Sequence, residues 1–162
     1  MKYIILDLDS TVVDSLHDCD CSNHVPILVS NHIMFVHLRP GAHEFINKFQ
    51  SQGYKFIVFS NNPFEYVSRV SSVVFRNLEP PIHLLTEDDM IPNNQSGVKG
   101  VGLYFKDLRY VSNKLKIDID DMIAIDDNIN MYPYDTNVIY ISPWSVYIKN
   151  DDELLKITDI RS

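Results

Sequence analysis

Tyr3-Ile4-Ile5-Leu6-Asp7-Leu8-Asp9-Ser10-Thr11 opens the chain with an apolar run that stops at two carboxylates. Apolar residues in succession, without alternation, read as a strand buried on both faces, the pattern of a parallel sheet covered by helices. Asp7 and Asp9 stand where that strand ends. In open α/β sheets ligands bind outside the carboxyl ends of the strands, so both acids fall on the edge that carries chemistry. Alone, such a pair is equally an ordinary solvated strand end or a helix cap, and the choice rests on what the remaining chain adds.

The design recurs downstream. Phe56-Ile57-Val58-Phe59 ends in Ser60-Asn61-Asn62, Met122-Ile123-Ala124-Ile125 ends in Asp126-Asp127, and Val138-Ile139-Tyr140-Ile141 reads as a further strand. Between the first two runs, Ala42, Phe45, Ile46 and Phe49 fall at i, i+3, i+4 and i+7, one face of an amphipathic helix that Gly53 closes. Asn62, Pro63 and Glu65 have the layout of a second helix start: a side-chain cap, proline at the first position and an acid to complete a capping box. Tyr66, Val67, Val70, Val73 and Val74 continue it. Leu108, Val111 and Leu115 mark a third helix, and Asn150 to Glu153 cap a short closing one. Strand, helix and strand in this order predict an α/β fold, a doubly wound parallel sheet with right-handed crossovers.

Two stretches are less regular. Val12 to Asn23 is polar and without period, so it reads as a loop. Ile27-Leu28-Val29 and Ile33-Met34-Phe35-Val36 flank Ser30-Asn31-His32 and predict a β-hairpin, a flap over the active edge. Residues 77–102 hold Pro80, Pro81, Pro92, Gly97 and Gly100 and read as a long connection with one short strand near Ile82 to Leu85.

A length of 162 residues fits a single domain over 1–162, and 45% apolar with 22% charged residues is ordinary for a globular protein. The net charge of -8 argues against nucleic acid as a partner, because a phosphate backbone needs a basic face. No apolar run has the length of a membrane span and no signal peptide precedes the first strand, so an intracellular protein with no membrane partner is expected. Cys19 and Cys21, the only cysteines, are too close for a disulfide. With His17 and His24 nearby they lack the wider spacing of structural zinc, so they read as reduced loop cysteines.

Taken in order, Asp7 and Asp9, Ser60, Lys106 and the Asp126-Asp127 pair resemble the four motifs of the haloacid dehalogenase (HAD) superfamily across most of the chain. Finer pieces, namely Asp7 to Ser15, Leu38-Arg39-Pro40-Gly41 with Glu44-Phe45, Phe59-Ser60-Asn61-Asn62 and Phe105-Lys106-Asp107-Leu108, resemble its FCP/SCP-like protein phosphatase branch. The resemblance implies a HAD-like, Rossmann-type sheet with the hairpin flap and no large cap domain. It implies a phosphatase in which Asp7 attacks phosphorus and Asp9 moves the proton. Mg²⁺ would be held by the side chain of Asp7, the backbone carbonyl of Asp9 and Asp127, with Asp126 the second choice. Ser60, Asn61, Lys106, Thr11 and Arg39 would bind the substrate phosphate.

Each assignment has a physical purpose. A carboxylate meets a phosphate dianion only when their repulsion is cancelled, which a hard cation on oxygen ligands achieves. Lys106 would neutralise the phosphoryl group, and as a lysine beside a helix start it should matter for rate more than for folding. By resemblance the substrate is phosphoserine or phosphothreonine in a protein or peptide, such as the carboxy-terminal domain of RNA polymerase II. Small capless phosphatases acting on phosphotyrosine, small molecules or polynucleotide 3'-phosphate fit the same length, and a non-catalytic binding module is the reading from another class. Ser60 stands where the family commonly has Thr, and the segment before Lys106 lacks its usual Arg- and Cys-bearing pattern, which leaves peptide specificity open.

Overall fold

The computed structural model describes residues 1–18, 22–92, 104–132 and 137–160. Cys19 and Cys21 lie outside them. Five of the apolar runs form one parallel sheet: β1 (Tyr3–Leu6) lies between β5 (Lys55–Phe59) and β9 (Met122–Asp126), with β6 (His83–Leu85) outside β5 and β10 (Val138–Tyr140) outside β9. Side chains alternate across the strands and so feed two cores. Ile4, Leu6, Phe56 and Val58 pack against α1 (Ala42–Ser51) and α2 (Phe64–Val74), while Ile5, Ile57, Phe59 and Ala124 pack against α3 (Leu108–Leu115). Helices on both faces make the sheet doubly wound, as the alternation predicts. β1 is flanked by strands that follow it in opposite directions, so the carboxyl ends of β1 and β9 open a crevice at the switch point.

A second, antiparallel sheet carries the flap. Its order is β2 (Val13–Leu16), β4 (His32–Leu38), β3 (Val25–Val29). The hairpin of β3 and β4 forms as expected around Ser30 and Asn31, both at positive φ (46° and 65°), the requirement of the two-residue turn whose twist matches the strands. The expected loop before it contains a strand instead. β2 has too few apolar residues to show a period, but Val13 to Leu16 pair with Leu38 to Phe35 on the edge of β4 opposite β3, which makes β4 the central strand.

The long connection holds β6, a single 3-10 turn at Glu87–Asp89 and β7 (Ile91–Pro92), which pairs with β8 (Tyr104–Phe105) directly before Lys106. The remainder of that connection lies outside the described residues. A last short helix, α4 (Glu153–Lys156), packs on α1, and Leu155 lies against Gly41 so closely that a Cβ there would sit 2.7 Å from it. Gly41 also has φ of 78°, so glycine is required there twice over. Among the described residues no helix is long and apolar enough to cross a membrane.

Candidate active site

The loop after β1 decides where the first two acids point. Leu8 is fully buried, and its carbonyl accepts from the N–H groups of Thr11, Val12 and Val13 at 3.2, 2.8 and 3.0 Å. The chain therefore curls around Leu8, with Ser10 in the left-handed region (φ 60°). Asp7 and Asp9, on either side of Leu8, both reach a hollow of about 170 Å³ that Asn61, Lys106, Asp126, Asp127, Asn128 and Met131 also line. The expected strand ends thus do converge.

Lys106 occupies the floor. Asp107 caps α3 by accepting from the N–H groups of Arg109 and Tyr110, and the Lys106 N–H donates to the Met131 carbonyl at 2.8 Å, so the backbone on both sides of the lysine is fixed. Its ammonium donates to Asp7 Oδ1 at 2.7 Å and to Asp126 Oδ2 at 2.6 Å, beneath the rings of Phe59 and Tyr132. Only 1% of Lys106 is exposed. The expectation that Lys106 matters for rate more than for folding presumed a lysine with little packing, and that premise does not hold: the side chain is a buried counter-charge for two buried acids. Burial disfavours its charge, yet Asp7 and Asp126 outweigh that and hold the ammonium above the usual lysine range.

One lysine does not balance this site. Burial raises the Asp7 carboxyl to about 7 even though Lys106 pulls the other way, and the negative charge of Asp126 adds to the rise. Burial also raises Asp127 and Asp9. Carboxylate oxygens of Asp7, Asp126 and Asp127 lie within 4.8 Å of one another. An all-oxygen, acid-rich cluster of this kind fits a hard divalent cation. The Asp126 oxygens are both engaged, Oδ2 by Lys106 and Oδ1 by the Asn128 N–H at 2.8 Å. Asp7 and Asp127 each keep one oxygen that no described donor takes.

Two expected phosphate ligands turn elsewhere. The Thr11 hydroxyl donates to Asp127 Oδ1 and accepts from the Asp127 N–H, both at 3.0 Å, so it positions an acid. Arg39 is buried in a bidentate pair with Asp151, both bonds at 2.7 Å, and donates to the Thr11 carbonyl at 3.1 Å. With both edges of its guanidinium engaged, Arg39 ties the C-terminal segment to the loop after β1 and is not free to meet a phosphate. Ser60 is buried at the end of β5, its Oγ accepting from Asn62 at 3.2 Å, and Asn61 is exposed on the rim.

Asn62 and Tyr66 are the functional residues that the sequence concealed. Asn62 reads as a helix cap, but Pro63 takes that position without a side-chain cap, and the Asn62 amide donates to Asp9 Oδ2 at 2.9 Å as well as to Ser60. A cap would use the Asn62 side-chain oxygen as acceptor, whereas here its NH2 group donates to a carboxylate, a charge-assisted bond stronger than a neutral one. Tyr66 reads as one more apolar position of α2. Its hydroxyl bonds Asp9 Oδ1 and lies 2.9 Å from the Ser15 hydroxyl of β2. Burial, and then Asp9, push the phenol well above its ordinary range, so it stays a neutral donor. Asp9 is thus gripped at both oxygens, while Asp7 faces the hollow.

The fold has counterparts. A sequence model of the NLI interacting factor-like phosphatases matches residues 2–161. Among solved structures, the RNA polymerase II CTD phosphatase Fcp1 is similar at a TM-score of 0.67 and 19% identity, over 91% of this chain and 43% of that one. A variant of fission yeast Fcp1 bound to beryllium fluoride is similar at 0.67 and 17%, over 96% of this chain and 45% of that one. The chain thus spans less than half the length of either. No curated protein matches it at a significant level. With its motif acids gathered at one sheet edge and its sequence matched almost from end to end, the chain belongs to the NLI interacting factor-like phosphatase family.

Proposed function

We propose that the chain is a Mg²⁺-dependent phosphatase that hydrolyses phosphoserine or phosphothreonine in proteins through an aspartyl-phosphate on Asp7. The observation that carries this reading is the pair of acids flanking Leu8: Asp7 open to the hollow, Asp9 oriented by Tyr66 and Asn62 beside it. Asp7 and Asp127 are the residues that would hold the cation, with the backbone carbonyl of Asp9 as a third donor. When bound, Mg²⁺ supplies the positive charge that lets a carboxylate approach a phosphate dianion.

In the first half-reaction an oxygen of Asp7 forms a bond to phosphorus as the bond to the serine oxygen breaks, and Asp9 gives that oxygen its proton. Burial raises Asp9, which favours the protonated form this step needs. In the second, Asp9 takes a proton from water as the water oxygen bonds to phosphorus and Asp7 leaves. Lys106 lies against Asp7 throughout, where charge develops on the phosphoryl oxygens. Ser60 and Asn61 would bind those oxygens from the β5 side.

Family membership and the shallow, uncapped hollow support a bulky protein substrate. Phosphoserine tails such as that of RNA polymerase II are the first class to test, because the similar Fcp1 structures carry that description. The experiment is release of phosphate from a panel of phosphoserine, phosphothreonine and phosphotyrosine peptides and from sugar phosphates, with Mg²⁺ and with EDTA. Turnover of phosphoserine peptides that EDTA abolishes is expected. Full turnover in excess EDTA, or turnover of sugar phosphates alone, would reject the reading.

A further inference from the structure

Past Tyr66, α2 packs beside β3, the outer strand of the flap, and the Ser30 N–H and hydroxyl at the hairpin turn bond Glu65 at the start of the helix. β3 is an edge strand, with β4 on one side and no strand on the other. Its register sets Val29 opposite His32 across the two-residue turn, then Ile27 opposite Met34 and Val25 opposite Val36. Such a turn closes on a hydrogen-bonded pair, and these recur at every second residue. The main-chain groups aimed away from β4 are therefore the carbonyl of Pro26 and both groups of Leu28. Leu28 is 52% exposed.

Facing this edge, Arg69 and Ser72 lie on the exposed side of α2 and Arg76 in the turn just past its end, and with Pro26 and Leu28 they line a groove of about 330 Å³. Neither guanidinium has an ion-pair partner among the described residues, in a chain whose net charge is -8. The groove continues the seam that starts at the catalytic acid. A second hollow, lined by Asp9, Ser15, Ser30, Glu65 and Tyr66, lies between them.

We propose that the seam between α2 and the free edge of β3 is a docking groove for an extended acidic stretch of the substrate protein, bound through Arg69 and Arg76; this rests on the phosphoprotein reading above. An extended peptide would add main-chain bonds to Leu28 while its carboxylates, or a further phosphate, meet the two guanidinium groups. Reach agrees with this. Along the helix axis Arg69 lies about 4.5 Å beyond Tyr66 at 1.5 Å per residue, and the helix end at Val74, next to Arg76, about 12 Å. Extended chain covers roughly 3.3 Å per residue, so the acidic residues fall within about one to five positions of the scissile phosphoserine. A nucleic acid offers no peptide groups to a strand edge, and the acidic surface repels it.

The test compares the parent with an Arg69→Glu/Arg76→Glu variant, in which both substitutions are on the surface and outside the reacting groups. Substrates are para-nitrophenyl phosphate, a phosphoserine peptide with neutral flanks, and the same peptide with Asp and Glu about one to five residues away. An exposed ion pair contributes a factor of about two to five, so the parent's KM for the acidic peptide should be roughly three- to tenfold lower than for the neutral one at low salt. The double variant should lose that preference with kcat unchanged and para-nitrophenyl phosphate unaffected, and it should favour a Lys-flanked peptide instead. Salt at 0.5 M should erase the preference. Equal KM for both peptides in the parent, or an equal rise for both in the variant, would overturn the groove.

Fluorescence anisotropy of an unphosphorylated acidic peptide reads docking without turnover. Binding that depends on Arg69 and Arg76 in a protein inactive on every phosphomonoester would sink the catalytic reading and keep the groove. Displacement of that peptide by a DNA duplex at equal concentration would overturn the peptide assignment.

Discussion

Replacing Lys106 by Ala removes the one cation between Asp7 and Asp126, which are 6% and 1% exposed. Breaking a buried ion pair from one side costs about 3–5 kcal/mol, because the remaining charge keeps its desolvation and loses its partner. Here the cost depends on pH. Lys106 lowers the Asp7 carboxyl, which stands at about 7 with the lysine present, so its loss moves Asp7 further up. A raised acid means that the fold prefers the protonated form; stability is then lost as pH rises above the unfolded value towards the folded one. Near pH 6 Asp7 is neutralised by a proton and the lower figure applies, while near pH 8 the higher one does. For a chain of this length each kcal/mol is about 2–4 °C in Tm, so the loss runs from roughly 6 °C at pH 6 to as much as 20 °C at pH 8. Far-UV circular dichroism melts in EDTA at the two pH values measure it directly. Adding Asp126→Asn to the variant should recover part of the loss at pH 8, since one of the two uncompensated charges is gone. A Tm within 2 °C of the parent at pH 8, or the same drop at both pH values, would refute the account of Lys106 as a structural counter-charge.

The two acids of the first loop separate kinetically. Asp9→Asn should slow a phosphoserine peptide by at least tenfold more than an aryl phosphate, whose leaving group needs no proton, within the 10²–10⁴ range of general acid catalysis; equal losses would remove Asp9 from that role. Asp7→Asn should abolish the phosphoenzyme on either substrate, and a trapped phosphoenzyme in that variant would disprove it as nucleophile. In the parent, Asp7 raised to about 7 means that the metal-free protein loses stability between about pH 4 and pH 7, so Mg²⁺ should raise the Tm more at pH 7.5 than at pH 5.5, and a shift independent of pH would count against the acidic cluster as its site. Arg39→Met, which leaves Asp151 buried and alone, should cost about 3–5 kcal/mol while changing kcat/KM by less than about threefold well below the melting point. A tenfold rate loss at unchanged Tm would return Arg39 to the substrate phosphate.

What the sequence discloses is backbone position. Strands buried on both faces cannot disguise their apolar runs, and each run fixes where the next polar residue must emerge, which is why Asp7, Asp9, Ser60, Asp126 and Asp127 could be assigned to one edge, whereas Lys106, beside a helix start, joined them through the motif order of the resemblance. The neighbour that a side chain then selects is set by residues far along the chain. Arg39 finds Asp151, 112 positions away, and Thr11 finds Asp127 at 116. Neither choice leaves a local trace: an arginine before Pro-Gly and a threonine after Asp-x-Asp look the same whether they meet a phosphate or a carboxylate. Tyr66 is harder still, because its ring satisfies the apolar period of α2 while its hydroxyl serves Asp9. β2 stayed hidden since its pairing is imposed by the second edge of β4 and not by any period of its own.

These long-range choices share a direction. Thr11, Tyr66 and Asn62 hold Asp127 and Asp9, and Arg39 secures the carbonyl of Thr11 behind them, so the acids that must keep their geometry are each fixed by a neutral hydrogen-bonding group. Neutral partners orient a carboxylate without cancelling its charge. The hollow therefore keeps an excess of negative charge that, among the described residues, only Lys106 reduces from within, and it is this excess that the cation proposed above would offset.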